Sequence, residues 1–396
     1  MPKYFHYAFI LSVCIAVETA GAWKVEGQFI MESTSFFHSP QFEDQARDHF
    51  SLQLEPEFRS SISQKAHLIF TPYYRWDKAD SQARHFDLRE LSLQSYAGDW
   101  EWTIGISRVF WGVTESLHLV DIINQTDLVV SLDGETKLGQ PMIMLGWKTD
   151  IGMLESFILP CYRARTFAGP NGRLRMEPSV QSGLDDLSCR SPDNSLDFAL
   201  RWSHTRNDVD LAVSYFNGTS REPNLILITQ DSKTWFKDSY EDIRQLGLEL
   251  ALVNDGWLWK LEAIHRTHQS TSFWATVGGF EYTFTGIGTT SWDLGLLMEY
   301  QYDDRGELPN VLAQNDIFLG QRWVWNDFSD TDFLAGVVVD GDNSQRRTLR
   351  IEFGRRLSNS VALSAQAYFF SSEDLVDPGY VLRRDDHLRL SLEYYF

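Results

Sequence analysis

The chain has 396 residues and carries 35 Lys and Arg against 55 Asp and Glu, a net charge of −20. That balance excludes nucleic-acid binding, which needs a basic footprint, and adhesion to anionic lipid headgroups through net charge. The apolar share of 43% is ordinary, but the aromatic share of 14%, with 14 Trp, 15 Tyr and 26 Phe, points to rings placed where apolar and wet surroundings meet.

The first 22 residues have the form of an export signal. Lys3 supplies the positive start, Tyr7 to Val17 the apolar stretch, and Ala20-Gly21-Ala22 a small-x-small cleavage site that leaves Trp23 as the mature N-terminus. A lipoprotein signal at Leu11-Ser12-Val13-Cys14 fits less well, because Val13 is too large for the position before the cysteine. Removal of residues 1–22 leaves Cys161 and Cys189, and in an exported protein an even pair reads as a disulfide rather than a metal site or nucleophile. Beyond the signal no run of ~18 apolar residues offers a transmembrane helix.

The mature chain alternates with period two. Phe50, Leu52 and Leu54 oppose Gln53, Glu55 and Glu57, and Leu196, Phe198, Leu200 and Trp202 oppose Asp197, Arg201 and Ser203. Leu246, Leu248, Leu250 and Leu252 oppose Gln245, Gly247 and Glu249, and Trp257, Trp259 and Leu261 oppose Lys260 and Glu262. Trp292, Leu294, Leu296, Met298 and Tyr300 oppose Asp293, Glu299 and Gln301, and Leu349, Ile351 and Phe353 oppose Arg350 and Glu352. The parity flips between Phe86, Leu88 and Leu91, Leu93, which predicts a β-bulge near Arg89-Glu90.

A soluble β-sandwich and a transmembrane barrel both produce such strands. Three features favour the barrel: segments of ~10–13 residues, aromatics at strand ends, and short joins alternating with long ones. Tight joins are read at 60–63, 97–99, 149–151, 206–208, 254–256 and 357–360. Long links are read at 32–47, 111–141, 161–194, 218–240, 303–313 and 372–383, and 285–289 and 326–330 fit neither group well. The reading is all-β: one antiparallel up-and-down transmembrane barrel over residues 23–396, of eighteen strands, sixteen being the other even number the boundaries allow. An even count places both termini on the periplasmic side, and no separate plug domain precedes the barrel.

The link 111–141 is the candidate constriction. It carries Glu115, Asp121, Asn124, Asp127, Asp133 and Glu135 against a single Lys137, and its Leu117, Leu119, Val120, Ile122, Ile123, Leu128, Val129 and Val130 are costly in water. It is therefore expected to fold inward against the wall. Asp121, Asn124 and Asp127 read either as solute contacts or as turn-formers of an irregular loop, and the two roles are compatible. Arg201, Lys260, Glu262, Arg350, Glu352, Arg389 and Glu393 are expected on the lumen wall, solvating it or pairing across strands.

The C-terminal aromatic Phe396, the strand count and the long link between the fifth and sixth strands resemble Gram-negative porins, whose third outer loop folds into the pore. Trp111 to Asp127 (WGVTESLHLVDIINQTD) also resembles a porin-like family of proteobacterial outer-membrane proteins with the pattern W-G-x…D-x-I-N-P-x-D, Gln125 standing in the place of its proline. The resemblance implies an outer-membrane channel for passive diffusion of small hydrophilic solutes, a homotrimer as one assembly, lipid and lipopolysaccharide as surroundings, and Phe396 as the signal read by the barrel-assembly machinery. It names no solute.

The segment from Cys161 to Arg190 is the most basic outer one, with Arg163, Arg165, Arg173 and Arg175. It reads as lipopolysaccharide contact or loop salt bridges, or else as an anion-attracting wall facing the acidic link. Asp340-Gly341-Asp342-Asn343 reads as a turn before a calcium site. No nucleophile elbow or H-E-x-x-H accompanies His118, His204, His265 and His268, so no enzyme, metal or cofactor is expected. The alternatives to a channel are a non-conducting structural or receptor barrel and, behind it, a membrane-embedded hydrolase.

Overall fold

The computed structural model describes residues 23–181, 189, 196–269, 271–306, 313–375 and 377–396. The expected signal, residues 1–22, and Arg190 lie outside them. The strands are β1 (Lys24–Phe36), β2 (Asp48–Ser63), β3 (Ala66–Asp77), β4 (His85–Ala97), β5 (Trp100–Ser107), β6 (Gln140–Thr149) and β7 (Gly152–Leu159). Then come β8 (Asp197–Arg206), β9 (Val209–Thr219), β10 (Asn224–Gln230), β11 (Lys233–Ser239), β12 (Asp242–Asn254), β13 (Trp257–His268) and β14 (Thr271–Phe284). The last are β15 (Asp293–Asp303), β16 (Asn315–Val324), β17 (Asp332–Asp340), β18 (Arg347–Ser358), β19 (Val361–Ser371) and β20 (His387–Tyr395).

Eighteen strands form one antiparallel sheet in which each pairs with its sequence neighbours. The sheet closes because β1 pairs with β2 on one side and β20 on the other, from Gln28↔Tyr395 to Phe36↔His387. The backbones of Gly27 and Phe396 exchange two hydrogen bonds of 3.0 and 3.1 Å, so the last residue is paired. β10 and β11 stand apart as a hairpin between β9 and β12, which themselves pair directly. The sequence reading takes 218–240 as a plain link and misses this hairpin: its Leu225-Ile226-Leu227-Ile228 run is too short to separate a loop hairpin from a wall strand by period.

The period-two pattern is what orients each wall strand. In β12 the even leucines face outward and Gln245, Gly247 and Glu249 face in, and the register sets Glu249 beside Glu262 of β13. A shift of one residue would turn every leucine inward, so the register is strongly specified. The bulge is where the parity flip places it: Thr71 pairs with Glu90 and Pro72 with Leu88, leaving Arg89 as the extra residue. Pro72, which has no N–H to give, sits opposite the break.

The joins at 64–65, 98–99, 150–151, 207–208, 255–256 and 359–360 are two residues each, and all lie at the end that holds both termini. Asp255 and Gly256 both have positive φ, 45° and 85°, which suits the two-residue turn that matches strand twist. Short and long joins alternate apart from the two that fitted neither group, 285–292 and 325–331, which are longer joins at the turn end, and a short join between β13 and β14 at the opposite mouth.

The barrel interior is not simply aqueous. Trp111, Val120, Ile122 and Ile123 of the link 108–139 pack against inward-facing Met142, Phe157, Leu159, Ala199, Phe216, Ile243, Ile264 and Ala275. An apolar core thus lies inside the wall formed by β6–β9 and β12–β14. Each large side chain buried this way contributes about 2 kcal/mol.

Candidate functional site

The link 108–139 enters the lumen and is held there by wall carboxylates. Glu262, on the inward face of β13, accepts from the backbone N–H of Val113 (2.8 Å), Thr114 (3.1 Å) and Val120 (3.2 Å) and from the Thr114 hydroxyl (2.7 Å). Glu299, inward on β15, accepts from the N–H of Glu115 and Ser116, both at 2.8 Å, and from the Ser116 hydroxyl at 2.5 Å. Loop N–H groups that would be orphaned inside the barrel are thereby satisfied by charge-assisted bonds. Gly112 makes the approach to Glu262 feasible: its φ is 140°, and a Cβ there would stand 2.9 Å from the Glu262 carboxylate. Trp111 fixes the same turn by setting its ring edge-on to Phe157.

Glu262, expected on the lumen wall either solvating it or pairing across strands, is fully buried under the loop. The other wall residues divide. Arg201 pairs across strands with Glu155 (3.1 Å) and Glu249 (2.9 Å). Lys260 lies 3.8 Å from Glu281 and 4.0 Å from Glu115. Arg350 pairs with Glu352 and stands 3.7 Å from Asp133. Arg389 donates to the carbonyl of Val130 (2.9 Å), and Glu393 accepts from Ser364 (2.9 Å) and Tyr395 (2.5 Å).

The loop residues divide as well. Asp121, Asn124 and Asp127 have buried side chains, and the partners they make are protein groups that shape the loop. Asn124 accepts from the Val109 N–H and donates to the carbonyls of Ser107 and Leu138, closing the base of the loop. Asp121 pairs with Lys137 at 2.9 Å. Burial pushes its carboxyl above the usual range, against the pull of that lysine. Asp127 joins Arg89 (2.6 Å), His85 (3.0 Å) and the Thr166 hydroxyl (2.8 Å). Burial opposes its charge, but His85 and Arg89 outweigh burial and hold the carboxyl well below its ordinary value.

Glu115, Asp133 and Glu135 lie on the other flank of the loop. Glu115 bonds Arg322 of β16 at 2.7 Å, and Asp133 accepts from Ser131. Glu135 is about half exposed, 4.0 Å from His118. His118 lies between Glu135 and Glu262, the latter 3.9 Å away, with Phe110 edge-on to its ring. Burial disfavours the imidazolium, yet the nearby carboxylates of Glu135 and Glu262 and the charge of Asp121 raise its pKa to about 9.

A second link crosses the mouth. Cys161 and Cys189 are joined as a disulfide. From Cys161 the chain runs over the inner loop: Arg163 bonds Asp87 (2.5 Å) and the Gly139 carbonyl (2.9 Å), and Gln125 donates to the Arg163 carbonyl. It then reaches the links after β1, β3 and β19. Gly169 donates to Asp80 (2.7 Å), Asn171 donates to the Asp44 carbonyl, and Arg173 bonds Asp385 (2.6 Å) beneath Phe36. The arginines of an anion-attracting wall are therefore taken up differently: Arg163 and Arg173 in buried ion pairs and Arg175 by Glu177. Asp340 accepts from the N–H of Asp342 and Asn343, which is a turn.

Glu299, Arg322, and the group Asp87, Arg89 and His85 escaped the sequence reading. Inward parity was their signal, but parity alone does not say which inward charge meets a loop.

No protein-family model and no curated protein matches the chain. Solved structures are similar at low identity. OmpT, an outer membrane protein of Vibrio cholerae folded in vitro, in its trimer form, matches 95% of this chain and 100% of its own at 9% identity, with a TM-score of 0.47. An engineered variant of the Rh. blastica porin matches with the same coverage at 11% identity and a TM-score of 0.46. Another variant of that porin gives 10% and 0.44. Scores this low leave the fold resting on the strand pairing itself.

Proposed function

We propose that the barrel spans an outer membrane and passes small hydrophilic solutes by passive diffusion. The observation that supports this best is the inversion of the wall. Large apolar side chains such as Leu54, Ile104, Ile143, Leu145, Val213, Leu246, Trp259, Leu296, Leu319 and Leu392 are exposed outward around the circumference, while ionisable groups point in. In water an apolar belt of that size would cost about 25 cal/mol per Å² exposed, whereas hydrocarbon accepts it.

The interior supports a narrowed, off-centre passage. The outer half of the wall from β6 to β14 is buried under the loop, whereas Arg350, Glu352, Gln366 and Ser364 on β18 and β19 and Glu393 on β20 keep part of their surface exposed. Glu135 on the loop is exposed and Arg322 on β16 is partly so. Selectivity would then follow from width and from these charges. Purified protein in a planar bilayer should give discrete conductance steps; folded barrels that insert without steps would end this reading. A non-conducting surface receptor is the second reading, and the strap from Cys161 to Arg173 across the mouth favours it.

A further inference from the structure

Four arginines gather at the mouth above the apolar core, and one carboxylate lies among three of them. Glu222, just after β9, bonds Arg266 of β13 at 2.6 Å and stands 3.7 Å from Arg305, in the link after β15. Arg165 of the strap adds its charge to the same carboxylate. Partial burial opposes ionisation of Glu222, but Arg266, Arg305 and Arg165 outweigh it and lower its pKa. Arg221, the fourth, is taken up by Asp197 at 2.9 Å and by the carbonyls of Ile123 and Thr219.

The guanidiniums are fixed from behind. Arg305 lies 3.9 Å over the ring of Phe273 and Arg266 5.4 Å from it. Arg305 also bonds Asp303, and Arg266 donates Nε to Gln245 Oε1 at 2.9 Å. Arg165 donates its backbone N–H to the Tyr240 hydroxyl and its side chain to Gln125 and the Arg221 carbonyl. None of those three partners carries a negative charge. Two carboxylates, Glu222 and Asp303, thus pair with these guanidiniums, and Asp304, which accepts from the N–H of Trp274, adds its charge at Arg305.

Two further observations point to a ligand. Gln245 is 2% exposed, its Oε1 is held by Arg266, and its Nε2 donor has no partner among the described residues. Such a buried donor is costly unless something accepts from it. The second is the order of exposure: the Glu222 side chain is 36% exposed, against 11% for Arg266 and 21% for Arg305. The carboxylate is on the open side and the cations lie behind it.

The geometry points to an anion-binding site at the outer mouth, formed by Arg165, Arg266, Arg305 and the Gln245 amide. There Glu222 occupies the place that a carboxylate or phosphate group of a small solute takes on binding. Gln245, Arg266 and Phe273 are on the inward parity of their strands, opposite to Leu246, His265 and Trp274, so the site opens into the barrel rather than towards surrounding lipid. Displacing an internal carboxylate makes capture reversible, because Glu222 returns as the solute leaves. A mouth that concentrates anions deepens the channel reading, yet binding can be measured whether or not the barrel conducts.

The full chain folded in detergent would be titrated by calorimetry with succinate and with inorganic phosphate, folding being checked by gel mobility before and after heating. Glu222→Gln should bind both probes about tenfold tighter than the unaltered chain. Adding Arg305→Gln or Arg266→Gln to that variant should abolish the gain. Arg305 lies outside the strands, and Gln245→Leu, which should also weaken binding, serves if an arginine variant misfolds. Equal affinity with and without Glu222 overturns the site, and so does a gain that survives both arginine replacements or is matched by chloride at equal ionic strength. Binding that behaves as expected in a barrel without conductance steps would uphold the site and end the channel reading.

Discussion

Glu262 shows how much one inward side chain decides. It accepts three backbone N–H bonds and one hydroxyl bond from the loop, all out of water. Glu262→Leu should cost about 3 kcal/mol or more, because the N–H groups of Val113, Thr114 and Val120 lose their acceptor while remaining buried. Hydrogen exchange should rise across 110–123 with the barrel strands still protected; unchanged exchange would show that the apolar core alone holds the loop. His118 makes the same anchor depend on pH. Its pKa is raised from the ordinary 6.5 to about 9, so its stabilising contribution is complete below about 6.5 and is lost as pH rises through about 9. Exchange in the loop should therefore increase between those limits, and His118→Gln should remove that dependence.

At the scale of elements, the loop is two pieces with different jobs. Residues 109–127 form the core and the anchors. Residues 128–136 form a tip closed by the Asp127 N–H to Thr136 carbonyl bond and the Thr126↔Lys137 bridge. Replacing 128–135 by two glycines keeps Trp111, Val120, Ile122 and Ile123 in place while removing Asp133 and Glu135. Single-channel conductance should rise at least about twofold if width limits flow, and an unchanged value would place the narrowest point elsewhere. The strap and the loop are also one unit. Thr166, Asp127, Arg89, Asp87 and Arg163 form a continuous buried chain of ion pairs and hydrogen bonds between them. Its hub is Arg89, the residue that the bulge adds to β4.

The whole molecule depends on a seam. β20 ends at Tyr395, and Phe396 still exchanges two backbone bonds with Gly27, so removal of the last residue deletes part of the closure between β20 and β1. A chain lacking Phe396 should fold more slowly and open at lower temperature, read as the heat-dependent shift in gel mobility. It should also assemble poorly in cells if that residue serves the barrel-assembly machinery. Normal assembly together with a lower opening temperature would leave Phe396 with the structural part of that role alone.

Period-two alternation was enough to read all-β architecture, eighteen wall strands, the bulge at Arg89 and the inward parity of Arg201, Glu262 and Arg350, because side-chain direction along a strand is a local property with period two. Apolar residues of the link such as Leu119, Val120, Ile122 and Ile123 marked the loop for the interior, because such side chains are costly in water. Partners were a different matter. That Glu262 clamps a loop while Glu352 pairs with Arg350, or that Asp127 is buried while Glu135 is exposed, depends on which wall the loop reaches, some 150 residues away in sequence for Glu262. The β10–β11 hairpin and the strap across the mouth were invisible for the same reason. Outer links have no repeating constraint on their course, and only closure of the cylinder brings their anchoring groups together. The chain's own pattern therefore determined the barrel and which face each residue takes. The tertiary structure alone decided which charges meet, what fills the interior, and where Arg165, Arg266 and Arg305 converge on Glu222.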